Sequence, residues 1–133
     1  MTELTILGVK LKFADYNDIL ESIQKGYSES ADMQHIISLN PETVMIALKD
    51  RSFMEAVRTA HFVIADGIGV VAAVQNLFGV KVPRVTGVDL MKKLLTADYR
   101  NSLTVCLIGG KGKVADKVKE CYDHSQNGIK IIA

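Results

Sequence analysis

The sequence predicts an α/β fold with a mostly parallel sheet flanked by helices and an N-terminal β-hairpin. Three observations carry this expectation. Short unbroken apolar runs, not alternating ones, recur from His35 onward: His35–Leu39, Phe62–Ala65, Leu103–Ile108 and Ile129–Ala133. Helical patterns lie between them, and strands buried on both faces read as continuous apolar runs. Before residue 35, Val9–Phe13 alternates apolar residues with Lys, as a half-exposed strand does.

The elements follow in order. Thr5–Leu7 and Val9–Phe13 flank Gly8 as a hairpin. Asp15 is placed to cap a helix over about 16–27, with Ile19, Leu20, Ile23 and Tyr27 on its apolar face. After the strand at 35–39, Asn40-Pro41 breaks the run, and Pro41 opens a helix at its first position. A second helix is expected to begin at Ser52, with Glu55 three residues on completing a capping box. The strand Phe62–Ala65 ends in Asp66-Gly67. Ile68–Phe78 is apolar on nearly every side, which predicts a central, buried helix closed by Gly79. Thr86 and Asp89 form another capping pair. Gly109-Gly110 stops the next strand before a helix over about 112–123, and Asn127-Gly128 turns into the last strand. The pattern as a whole is Rossmann-like, and its 133 residues are expected to form a single domain over 1–133.

Composition narrows the function classes. The chain is 48% hydrophobic and 23% charged with a net charge of +1, so no strong field points to nucleic acid, and aromatics are only 6%. The basic residues are scattered apart from Lys111, Lys113, Lys117 and Lys119. Cys106 and Cys121 fall at apolar positions and read as small core residues in a reducing compartment. His35, His61 and His124 show no ligand spacing, so neither a metal nor another cofactor is expected. Met1–Ile6 has no signal-peptide character, and no run of about 18 apolar residues exists to span a membrane.

In a parallel α/β sheet, ligands bind beyond the carboxyl ends of the strands. Three such ends carry polar or glycine-rich segments: Ser38–Pro41, Asp66–Gly69 and Gly109–Lys113. Asp66 leaves a buried strand where Gly67 permits a tight turn, which suits either a general base or a helix cap. Ser38 and Asn40 suit hydrogen bonds to a sugar or phosphate, or capping before Pro41. The glycines at 109–112 suit a pyrophosphate at a helix start, or a plain tight turn. They match neither the dinucleotide fingerprint nor a P-loop. Arg84 suits a diphosphate by its forked geometry, or a solvated loop.

Taken in order, four segments resemble the WecG/TagA/CpsF glycosyltransferases. They are Leu39-Asn40-Pro41-Glu42 with Val44 and Met45, Asp66-Gly67-Ile68-Gly69-Val70-Val71, Arg84-Val85-Thr86-Gly87-Val88-Asp89-Leu90, and Leu107-Ile108-Gly109-Gly110. The resemblance implies inverting, metal-free transfer of N-acetylmannosamine or its uronic acid from a UDP-sugar. The acceptor it implies is undecaprenyl-diphosphate-linked N-acetylglucosamine, in teichoic acid or other cell-surface polysaccharide synthesis. It makes Asp66 the catalytic base. Ser38, Asn40, Gly67, Arg84, Gly87, Gly109 and Gly110 become substrate-binding positions.

Two residues depart from the family pattern. Ser38 stands where Thr is common, and Ala65 where Pro is common. The family also continues with a Gly-aromatic loop, a Gly-x-Pro-x-Gln-Glu motif and a basic segment that meets the membrane, so the chain is expected to lack the family's C-terminal part. The implied setting is the cytoplasm at the inner face of the membrane, with room for a homo-oligomer. Two other readings stand beside this one: a Rossmann-type nucleotide-binding module, and a non-catalytic assembly fragment.

Overall fold

The computed structural model describes residues 1–6, 9–28, 33–97, 103–122 and 129–132. The chain divides into two compact units, Met1–Leu90 and Met91–Ala133.

The first unit holds a four-stranded sheet in the order β1-β2-β4-β3. The expected hairpin is β1 (Thr2–Ile6) and β2 (Val9–Phe13), antiparallel, with β1 starting earlier than the apolar pattern alone indicates. Strand β3 (Ile36–Leu39) runs parallel to β4 (Phe62–Ala65), register Ile36↔Phe62 to Leu39↔Ala65, and β2 pairs parallel with β4 at Phe13↔Val63. Because β4 lies between β2 and β3, all four of its residues are buried. β3, at the edge of this sheet, buries alternate residues.

Helix α1 (Tyr16–Ser28) starts at a reciprocal cap. The Asp18 N–H donates to Asp15 at 2.8 Å, and the Asp15 N–H donates to Asp18 at 3.1 Å. Pro41 opens α2 (Pro41–Lys49) as expected. The start of α3 (Arg51–Arg58) is corrected: its cap is Asp50, whose carboxylate accepts from the N–H groups of Ser52 and Phe53. Glu55 instead pairs with Arg58 at 3.4 Å. A carboxylate two residues upstream outcompetes the capping-box match, because it satisfies two orphan donors at once.

Helix α4 (Ile68–Phe78) keeps its expected bounds, with Gly79 left-handed at its end. Its expected burial is corrected. Only Val70 and Val74 are buried, while Ile68 is 77% exposed and Leu77 74%. An apolar sequence does not say which face finds a partner. Between α2 and α4 lies an apolar groove of about 370 Å³, lined among others by Pro41, Met45, Leu48, Ala73 and Phe78. The core under the sheet joins Leu11, Phe13, Leu39, Val63, Ala65 and Val70.

Helix α5 (Gly87–Thr96) crosses the division between the units. The second unit pairs β5 (Leu103–Cys106) with β6 (Ile129–Ile132) in a two-stranded parallel sheet, with α6 (Val114–Tyr122) between them in sequence. Cys106 and Cys121 are both exposed, which corrects their expected burial. Along β5 exposure alternates, and Cys106 shares the outward face with Thr104. α6 has no buried residue to draw Cys121 inward. Asn127-Gly128 and His124 lie outside the described residues.

Candidate active site

The parallel register builds the site. Ser38 stands opposite Ile64 on the neighbouring strand. Asp66 is two residues beyond Ile64, so it projects on the same face as Ser38. Backbone pairing continues past the strand ends, where the Asp66 N–H donates to the Leu39 carbonyl at 2.9 Å. On the other side of β4, the Ala14 N–H meets the Val63 carbonyl at 3.2 Å. Further along that side the Val85 N–H meets the Ala65 carbonyl at 3.1 Å, and Arg84 forms a parallel bridge with Ala65. The 84–85 segment therefore takes the place beyond the end of β2.

Asp66 is half-buried and held on one oxygen. Its Oδ2 accepts from the Ser38 hydroxyl at 2.7 Å and, more weakly, from the Gly87 N–H at 3.4 Å. It is not the cap of α4. That position belongs to Gly67, whose φ of 100° suits glycine, and no side chain caps the helix there. Of the two sequence readings of Asp66, the cap is thus the one the geometry removes. A Cβ on Gly87 would lie 3.8 Å from Asp66 Oδ2 and 3.9 Å from Ser38 Oγ, so Gly87 forms one wall of the pair.

Ser38, Asp66, Gly67, Arg84 and Gly87 all lie in the first unit around the end of β4. Arg84 is exposed and makes no ion pair among the described residues. Asn40 is the cap of α2, its Oδ1 accepting from the Thr43 N–H at 2.8 Å and the Thr43 hydroxyl at 2.9 Å. Gly109 and Gly110 belong to the second unit. With Gly112 they carry positive φ values of 98°, 90° and 61°, a turn that side chains would strain. His35 and His61 meet each other at strand starts, the His35 N–H donating to His61 Nδ1 at 3.0 Å. Among the described residues no three His, Cys, Asp or Glu side chains group as a metal site.

Two contacts near the site were not readable in the sequence. The Tyr16 phenol accepts from the Thr86 N–H at 3.2 Å across 70 positions of sequence, a distance no local pattern spans. Gly69 lets α4 approach α2, since a Cβ there would come within 2.9 Å of Pro41 Cγ. Its close approach is tertiary, and only its glycine identity hinted at it.

The model of the Glycosyl transferase WecG/TagA/CpsF family matches residues 4–133. Among similar proteins are N-acetylglucosaminyldiphosphoundecaprenol N-acetyl-beta-D-mannosaminyltransferases of Staphylococcus aureus strains NCTC 8325 / PS 47 and COL. Each is 29% identical over 115 residues, covering 86% of this chain and 45% of the relative. The chain thus spans less than half the length of these relatives. With its family model matched over nearly its whole length, the chain belongs to the WecG/TagA/CpsF family of glycosyltransferases.

Proposed function

We propose that this chain carries the base and part of the donor site of an inverting glycosyltransferase. The donor is a UDP-sugar bearing N-acetylmannosamine or its uronic acid. The acceptor is undecaprenyl-diphosphate-linked N-acetylglucosamine, and the product feeds teichoic acid or another cell-surface polysaccharide. The observation that supports this most is the Asp66 carboxylate, half-buried beyond a strand end and oriented by Ser38 instead of being spent as a helix cap.

In the reaction, Asp66 takes the proton of the acceptor's 4-hydroxyl as that oxygen bonds to the donor's anomeric carbon. The bond from that carbon to the diphosphate breaks, and UDP leaves with the electron pair. Arg84 meets the developing phosphate charge, together with backbone N–H groups near Gly67. Asn40 and Gly87 are further donor-binding positions in the first unit, and the family resemblance gives Gly109 and Gly110 of the second unit a substrate-binding role. The chemistry calls for no metal. Residues 1–133 contribute the family's glycosyltransferase core to this reaction.

Among the described residues no helix is long and apolar enough to cross a membrane. By the family resemblance, contact with the lipid-linked acceptor is peripheral, at the inner face of the cell membrane. A homo-oligomer is compatible with the scheme.

The test is transfer from UDP-N-acetylmannosamine to a lipid-diphosphate N-acetylglucosamine, with wild type and Asp66→Asn compared in the protein as expressed. Loss of a general base lowers the rate by roughly 10²- to 10⁴-fold. Near-normal transfer by Asp66→Asn overturns the assignment. Tight NAD binding without UDP-sugar binding overturns the class and favours a nucleotide-binding module.

A further inference from the structure

The segment that lies beside the end of β4, beyond β2, is held by three successive N–H groups, each with a different partner. Val85 donates to the Ala65 carbonyl at 3.1 Å. Thr86 donates to the Tyr16 phenol at 3.2 Å, and Gly87 donates to Asp66 Oδ2 at 3.4 Å. The first fixes the segment to the sheet. The last lies at the long limit of hydrogen bonding and cannot hold the segment by itself. The middle contact is the anchor from outside the segment that lies next to Gly87.

Tyr16 stands on a firm base. It is the first residue of α1, behind the reciprocal Asp15–Asp18 cap. Ala14 and Ile19 on either side of it are 1% and 0% exposed. A phenol is rigid beyond its two side-chain torsions, so its oxygen is a fixed acceptor. The Thr86 hydroxyl is already engaged with Asp89 at 2.7 Å, which leaves the backbone N–H as the handle on the segment.

We propose that Tyr16 is a positioning residue for the Asp66 site. Its phenol holds the Thr86 N–H so that the Gly87 N–H meets the Asp66 carboxylate. The inference rests on the reading of Asp66 as the base. Tyr16 touches no reacting atom, and it acts through residues 86–87.

Tyr16→Phe tests it, because the ring stays and only the hydroxyl goes. The expected result in nuclear magnetic resonance is faster hydrogen exchange at the Thr86 amide, by roughly tenfold. The Gly87 amide resonance moves as its contact with Asp66 loosens, while the Asp18 amide at the α1 cap is unchanged. Unaltered Thr86 and Gly87 amides overturn the proposal.

In the transfer assay, kcat falls by about tenfold with donor KM and Tm nearly constant. A fall in Tm with kcat unchanged marks a structural role only and also overturns it. The two failures are distinguishable. If Asp66→Asn retains transfer, the base reading fails. If Asp66→Asn abolishes transfer and Tyr16→Phe leaves kcat intact, the positioning inference fails alone.

Discussion

The Ser38 hydroxyl donates to Asp66 Oδ2 at 2.7 Å, tying the ends of two adjacent parallel strands together through their side chains. A hydrogen bond to a carboxylate contributes about 1.5–3 kcal/mol, and it leaves Oδ1 as the oxygen free of this restraint. Ser38→Ala should therefore lower the transfer rate by roughly 10- to 100-fold. Ser38→Thr keeps the hydroxyl, suits a strand, and should retain most of the rate. Steady-state kcat for the two variants is the measurement. Equal rates for Ala and wild type would show that the bond does not orient a working carboxylate.

What could be read from sequence was local, and what could not was the partner of each group. The bounds of β4 and α4 were legible because an apolar run halted at Asp66-Gly67 and a second one at Gly79. Asp66 and Ser38 were legible as strand-end residues. Their mutual bond was not, since it depends on Ser38 registering with Ile64. The exposure of Ile68 and Leu77 was hidden for the same reason: composition reports hydrophobicity, not which face is covered. Asn40 allowed a ligand role or a cap, and its bonds to Thr43 show the cap. Tyr16 was illegible altogether, its partner lying 70 residues away.

Asp50 gives a prediction for stability against pH. Its carboxyl is held below its ordinary value of 3.8, first by the Ser52 hydroxyl and then by the Phe53 and Ser52 N–H groups. A depressed carboxyl contributes stability that is present above its unfolded value and lost as pH falls through its folded one. The α3 cap should thus weaken only in acid, below about pH 4. Asp50→Asn keeps a capping oxygen without the charge. Denaturation midpoints taken between pH 7 and pH 3 should fall less steeply for Asp50→Asn than for wild type. Parallel curves would remove Asp50 from the acid response.

Gly69→Ala probes the approach of α4 to α2. Gly69 is the second residue of α4, where alanine is favoured over glycine by at most about 1 kcal/mol, so propensity alone predicts slight stabilisation. The added Cβ would lie 2.9 Å from Pro41 Cγ, on a ring that cannot swing aside. Overpacking of this kind costs about 1–3 kcal/mol and should win. A lower Tm is expected, with α4 pushed away from Pro41. A raised Tm would mean that α4 shifts freely over the apolar groove and that the contact sets nothing.

Gly87→Ala separates the site from the fold. Its Cβ would stand 3.8 Å from Asp66 Oδ2 and 3.9 Å from Ser38 Oγ, ordinary contact distances that require no displacement. Gly87 opens α5 and is not among the glycines with positive φ, so alanine meets no backbone strain. The variant should fold with wild-type Tm or slightly above, because alanine reduces the freedom of the unfolded chain by about 0.4–1 kcal/mol. The methyl group nonetheless stands against the carboxylate and narrows the approach of an acceptor hydroxyl. Transfer should drop by roughly tenfold or more, since displacing a reacting group by about 1 Å costs on the order of 10²-fold. Paired measurements of Tm and kcat decide the matter. Full activity in a stable Gly87→Ala protein would mean that the acceptor reaches Asp66 from another side, and that the wall formed by Gly87 faces no substrate.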